Sequence, residues 1–146
     1  MEWRQGEFSI SNEHGSLDIA LIHEFLRNSY WAKEIPREIV EKSLQNSLCF
    51  GIFHQDRQVG FGRVVTDRAT FAYLADVFVL ESHRGRGLGK WLVACVMEHP
   101  ELQGLRRWLL ATADAHDLYR QAGFASLSKP DRLMEIIDLD IYKRQP

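Results

Sequence analysis

Residues 84–90 read Arg-Gly-Arg-Gly-Leu-Gly-Lys, three glycines and three cations in seven positions, and an apolar run follows at once. A glycine inside a helix costs about 1 kcal/mol relative to alanine, so this stretch is a turn and not a helix interior. Upstream, TFAYLADVFVLE (70–81) is rich in β-branched and aromatic residues and predicts a strand. Downstream, Leu88, Trp91, Leu92, Cys95 and Val96 recur at helical spacing, and Pro100 stops the run. A strand, a glycine turn and a helix start in that order leave free backbone N–H groups and the positive end of a helix dipole facing one point, which is an anion site. Arg84, Arg86 and Lys90 add charged donors for phosphate oxygens. The plain alternative is a solvated turn that happens to be basic.

Two common phosphate loops do not fit. A Walker loop requires G-x-x-x-x-G-K-[ST], but Lys90 is followed by Trp91 and Arg84 holds the place of the first glycine. The dinucleotide fingerprint G-x-G-x-x-G fails because Gly85 and Gly87 are followed by Lys90 where the third glycine belongs.

The rest of the chain bounds the fold. Its 146 residues suit a single domain over 1–146, large enough to bury a core without metal or disulfide staples. Net charge is −2, so a nucleic-acid partner is not expected. Cys49 and Cys95 sit in apolar runs with no C-x-x-C pair, which reads as two reduced core thiols and no metal site. No uncharged apolar run reaches the roughly 18 residues a membrane span needs, and the first 15 residues have no signal-peptide core. A soluble cytoplasmic protein with no membrane partner is expected.

Periodicity supplies the elements. SLDIALIHEFLRNS (16–29) and PREIVEKSLQN (36–46) carry helical stripes, with Ser16 as N-cap of the first and Pro36 opening the second. Runs 48–55, 57–67 and 70–81 predict an antiparallel meander, and RRWLLATA (106–113) predicts a buried strand parallel to the last of these, because a helix crosses between them. Asp114 would cap a short helix closed by Gly123, and 124–127 and 133–141 would supply two final strands. The expected order is β-α-α-β-β-β-α-β-α-β-β, an α+β fold with one mostly antiparallel twisted sheet and helices on both faces.

With Arg84-Gly85-Arg86-Gly87-Leu88-Gly89 matching [Q/R]-x-x-G-x-[G/A] at a strand-to-helix junction, the chain resembles the GNAT superfamily of acetyl-CoA-dependent N-acetyltransferases. DVFVLESHRGRGLG and LYRQAGF (118–124) are similar to that family's strand-plus-turn and its downstream Tyr-x-x-x-Gly-Phe segment, although Glu81 stands where many members have proline. The resemblance implies acetyl-CoA as co-substrate and no metal. It places Arg84, Gly85, Arg86, Gly87, Leu88, Gly89 and Lys90 on the pyrophosphate, and the backbones of Val77 and Val79 along the thioester and pantetheine arm. It implies Tyr119 as general acid.

Amine acetylation must overcome protonation: at pH 7 about one alkyl ammonium in 2,500 is neutral, a handicap of about 4.6 kcal/mol. Asp76, the only carboxylate within FAYLADVFVL, is the candidate base, against a rival reading as partner to an arginine or a backbone N–H. His116 at a helix start is an ordinary surface or capping residue on this reading. Tyr30, Trp31 and Glu34, between the first two helices, with Phe71 and Tyr73 opposite, are candidates for the acceptor pocket, or equally for packing helices onto the sheet. The function implied is transfer of acetyl to a primary amine, on a small molecule in preference to a protein or peptide. A non-catalytic acyl-CoA sensor of the same fold is the alternative, and a homodimer is left open.

Overall fold

Runs rich in β-branched and aromatic residues place the strands, and short polar turns or helices connect them. The computed structural model of the chain describes residues 1–144. Its strands are β1 (Glu2–Gln5), β2 (Phe8–Ser11), β3 (Leu48–His54), β4 (Arg57–Thr66), β5 (Phe71–Val79) and β6 (Arg107–Leu110). They form one open sheet in the order β1-β2-β3-β4-β5-β6. Every neighbouring pair is antiparallel except β5–β6, which is parallel. That exception follows from the crossover helix α3 (Leu88–Glu98), since a parallel return needs a connection long enough to span the sheet.

The two sheet faces carry separate cores. On one face Leu48, Phe50, Ile52, Val64, Ala72 and Leu74 pack against Leu88, Leu92, Val93 and Val96 of α3 and Tyr119 of α4 (His116–Gln121). On the other, Cys49, Phe61 and Phe78 pack against α1 (Ile19–Arg27) and α2 (Arg37–Gln45) through Ile22, Leu26, Val40 and Leu44. Both cysteines are buried and unpaired. The α+β class, the helices on both faces and the meander stand as expected. No helix among the described residues is long and apolar enough to cross a membrane.

Four features differ from the sequence reading. The N-terminus is a hairpin closed by Gly6 at φ +61°, so two strands precede the helices. Asp18, not Ser16, caps α1, its carboxylate accepting from Leu21 N at 3.1 Å, while Ser16 Oγ donates to Glu13 O. Asp114 does not cap α4; Thr112 Oγ1 accepts from Ala115 N one turn earlier. Residues 124–127 and 133–141 form no strands, and β6 is a half-buried edge and not a covered strand. An apolar alternation becomes a strand only where an edge pairs with it. Here 133–140 lies in the open, with Met134 98% and Ile136 105% exposed.

Candidate active site

β5 is interrupted by one extra residue. Phe61 pairs with Phe78 and Arg63 with Ala75, so the register of β4 against β5 slips by one between them. Asp76 absorbs the slip at φ +56°, a left-handed conformation that aspartate tolerates better than most residues. The side-chain pattern flips with it. Ala72 and Leu74 face α3 before the bulge, and Val77 and Val79 face α3 after it. β5 pairs with β6 only from Phe71 to Leu74, and from the bulge onward its outer edge is unpaired. A slot therefore opens between β5 and β6 alongside Val77 and Val79. A bulge in strand 70–81 that splays it from 106–113 is implied by the family resemblance, although the residues themselves do not show one.

The slot leads to the glycine turn. Gly85 (φ +80°) and Gly87 (φ +76°) adopt left-handed conformations, and nothing lies within 4 Å of where a side chain would start at either, so their backbone faces open space. Gly87 is the N-cap of α3 and no side chain satisfies the first N–H groups of that helix. Arg86 and Lys90 are exposed and have no ion-pair partner among the described residues. Arg84 is partly committed: its Nε donates to Val79 O at 3.0 Å, tying the turn to the end of β5. Leu88 buries its side chain in the core, and a methyl group added at Gly89 would meet Leu118 and Val79 only at ordinary contact distance, 3.8 and 3.9 Å. Uncapped N–H groups, free cations, a bare turn and an open strand edge fit a long pyrophosphate-bearing cofactor.

At the other end of the slot stands Tyr119, 9% exposed. Burial, aided by neighbouring Tyr30 and Asp114, pushes its hydroxyl up to about 12, so it carries a proton throughout the neutral range. Tyr30 comes from the α1–α2 loop, and its hydroxyl accepts from Ala113 N at 3.1 Å, which joins that loop to the segment after β6. Trp31, packed edge-on to Tyr30, donates from Nε1 to Asp76 Oδ1 at 2.9 Å. The other Asp76 oxygen accepts from Arg63 Nε at 2.8 Å, a pair shielded from solvent at 18% and 10% side-chain exposure.

The predicted residues thus divide. Tyr30, Trp31, Asp76 and Tyr119 gather around the slot. Glu34 is exposed in the same loop at φ +67°, its N–H closing the loop onto Arg27 O. Tyr73 is half-buried on the α1/α2 face, three residues before the bulge. Phe71 lies five residues from Asp76, roughly 16 Å along an extended strand, and is not at the site. His116 is exposed, lining a groove beside β6 with Tyr119. Arg63 was missed, although a single arginine inside the run VGFGRVV is a signal for a buried partner. Among the described residues no cluster of three or more His, Cys, Asp or Glu is placed to hold a metal ion.

An open α+β sheet split by a bulge and feeding a glycine-rich helix start defines a class of acyl-CoA-using transferases. The acetyltransferase (GNAT) family pattern matches residues 18–124, and the chain belongs to that family. It is 51% identical to a GNAT-family protein of Xanthomonas campestris pv. campestris with a provisional acetyltransferase name, whose crystal structure superposes with TM-score 0.90 over 92% of this chain and 96% of that one. A provisionally named acetyltransferase of Gibberella zeae is 31% identical over 140 residues, covering 80% of this chain and 78% of its own. The fold is also shared, at 19% identity and TM-score 0.68 over 88% of this chain and 30% of the other, with the N-acetylglutamate synthase of Neisseria gonorrhoeae, solved with coenzyme A and N-acetylglutamate. The protein is therefore an acyltransferase of a fold that binds acetyl-CoA.

Proposed function

We propose that this enzyme moves acetyl from acetyl-CoA to the primary amine of a small molecule, by direct attack and with no covalent enzyme intermediate. The observation that carries the small-molecule reading is the pair of bridges over the slot. Tyr30 is bonded to Ala113 and Trp31 to Asp76, so the α1–α2 loop spans the acceptor end of the slot, which favours a compact acceptor over an extended peptide.

When bound, acetyl-CoA supplies a thioester carbon for the amine to attack, with the thiol as leaving group. The N–H groups at Gly87–Gly89, with Arg86 and Lys90, would hold the pyrophosphate, and the unpaired edge at Val77 and Val79 would align the arm. Arg84 secures the turn as much as it contacts phosphate, because its Nε is engaged with Val79 O. Tyr119 keeps a proton ready for the departing sulfur, since its hydroxyl titrates only near 12.

Asp76 holds Trp31 in place and does not take the amine's proton. Both its oxygens already accept from donors, Trp31 Nε1 and Arg63 Nε, so they are engaged in holding the loop and not free for the amine. The test is release of CoA thiol from acetyl-CoA over a panel of polyamines, amino acids, aminoglycosides and peptide N-termini. Turnover with small amines is expected. Turnover confined to peptides would overturn the acceptor class, and binding without turnover on any amine would favour an acyl-CoA sensor.

A further inference from the structure

The glycine turn is reached through a chain of side chains that takes no part in acetyl transfer itself. Glu81–His83 forms a short 3-10 turn between β5 and Arg84, and its last residue, His83, is half-buried beside the end of β3. His54 Nδ1 and His83 Nε2 lie 3.0 Å apart. His54 Nε2 lies 3.1 Å from Glu7 Oε2 of the β1–β2 turn, and Ser82 Oγ lies 2.8 Å from His83 Nδ1. Phe8 stacks on His54 with ring centroids 4.6 Å apart and meets His83 edge-on, so both imidazoles are held from the same side chain. The chain Glu7–His54–His83–Ser82 therefore ties the N-terminal hairpin to the entrance of the turn that would hold the pyrophosphate.

Hydrogen-bond chemistry fixes where the protons sit. With Glu7 ionised, His54 Nε2 donates to it, so a neutral His54 accepts at Nδ1 from His83 Nε2–H, and His83 Nδ1 accepts from the Ser82 hydroxyl. One added proton leaves all three contacts intact: it enters at His83 Nδ1, and Ser82 Oγ turns from donor to acceptor. A second would set two N–H groups against each other across 3.0 Å, so the pair holds one added proton and no more. The charged groups facing the pair are Glu7 from the β1–β2 turn, Arg57 from β4 and Arg86 from the glycine turn. Partial burial, then the positive fields of Arg86, His54 and Arg57, keeps His83 below the ordinary histidine value. Arg86 is also one of the cations placed to meet the pyrophosphate. A phosphate drawn onto Arg86 cancels a field that opposes the proton and adds negative charge nearby, so the bound cofactor favours the charged pair.

We propose that His54 and His83 are positioning residues for the cofactor turn, and that the pair takes up one proton from solvent when acetyl-CoA binds. Because this uptake requires the pyrophosphate to lie at residues 84–90, it rests on the function proposed above. The bound state carries the extra proton, so affinity for acetyl-CoA falls as pH rises through the histidine range.

The experiment is calorimetric titration of the full-length chain with acetyl-CoA, in buffers of different ionisation enthalpy, so that the dependence of heat on buffer gives the protons taken up. The cofactor's own phosphate monoester titrates near pH 6 (about), but it is common to every variant and cancels in the difference. Wild type should take up more proton than His83→Gln, and between about pH 6 and 8 it should lose at least about threefold more affinity. Glu7→Gln keeps an acceptor for His54 and removes the charge that offsets the proton, so the steep part of its affinity–pH curve should move to lower pH. His14→Gln, which alters an exposed histidine of another 3-10 turn, should match wild type. A chain that merely braces the turn would lower affinity equally at every pH; equal proton uptake by wild type and folded His83→Gln would overturn the proposal. Should His83→Gln fail to fold, exposed Glu7→Gln decides, and an affinity–pH curve unmoved by it would overturn the proposal too. Absence of any binding by wild type at millimolar cofactor would instead overturn the pyrophosphate cradle, and the proton uptake with it.

Discussion

At Gly87 the chain needs a backbone conformation more than it needs space. No atom would obstruct a side chain there, yet φ is +76°. Gly87→Ala should therefore cost about 1–2 kcal/mol of stability from the left-handed conformation alone. It should weaken acetyl-CoA binding further, because a methyl group then projects from the bare turn; calorimetric titration of the folded variant checks this against the melting temperature. Tyr119 separates packing from chemistry. Tyr119→Phe keeps the ring against Phe124 and deletes the proton donor, so single-turnover rates should fall about 10- to 1,000-fold with cofactor affinity unchanged. Because this hydroxyl titrates only near 12, loss of activity below pH 11 on the alkaline side must come from another group and should persist in the variant. An unchanged single-turnover rate would remove Tyr119 from the chemistry.

The long helices and the crossover were legible because each buries one face at a period near 3.6, and the meander because its apolar, β-branched and aromatic runs are short and bounded by polar turns. The glycine turn was legible because few structures other than an anion cradle justify three glycines beside three cations. The bulge was not, since register is a relation between two strands and neither strand states it alone. For the same reason 133–141 read as a strand: its composition suits one, and no strand among the described residues pairs with it. Asp76 sits at the bulge, and its partners Arg63 and Trp31 lie 13 and 45 residues away in sequence. On the reading proposed above, their pairing makes it an anchor for the α1–α2 loop in place of a base. Asp76→Asn retains an oxygen for Trp31 and loses the ion pair. It should raise the acceptor KM with a smaller effect on kcat and leave the shape of the pH–rate profile intact. Abolition of the acidic limb would restore Asp76 as the base.

The molecule as a whole holds three protons more tightly folded than unfolded. Burial pushes Cys49 and Cys95 from 9.0 up to about 12, and Tyr119 from 10.0 up to about 12. Below pH 9 both states keep these protons and the groups add no pH dependence. Between about 9 and 12 the unfolded chain releases them first, so stability falls as pH rises. Melting temperature should decline across that window, and Cys49→Ala/Cys95→Ala should flatten the decline relative to its own value at pH 8. A slope unaltered by the double substitution would show that surface lysines and arginines control the alkaline limit.

The slip at Asp76 behaves like a frameshift confined to one strand. Remove that one residue and Ala72, Leu74, Val77 and Val79 fall into a single unbroken alternation, while Phe61–Phe78, Gly62–Val77 and Arg63–Ala75 become consecutive rungs of one ladder. Both cores keep their side chains, so the deletion variant should fold with the same secondary structure by circular dichroism. Its straightened β5 would then run on beside β6 and close the gap, and titration with acetyl-CoA should show no binding. Undiminished binding by the deleted chain would mean that the gap does not depend on the slip. A more regular sheet is available to this sequence one residue away, and the cofactor's place exists because the sheet is not regular.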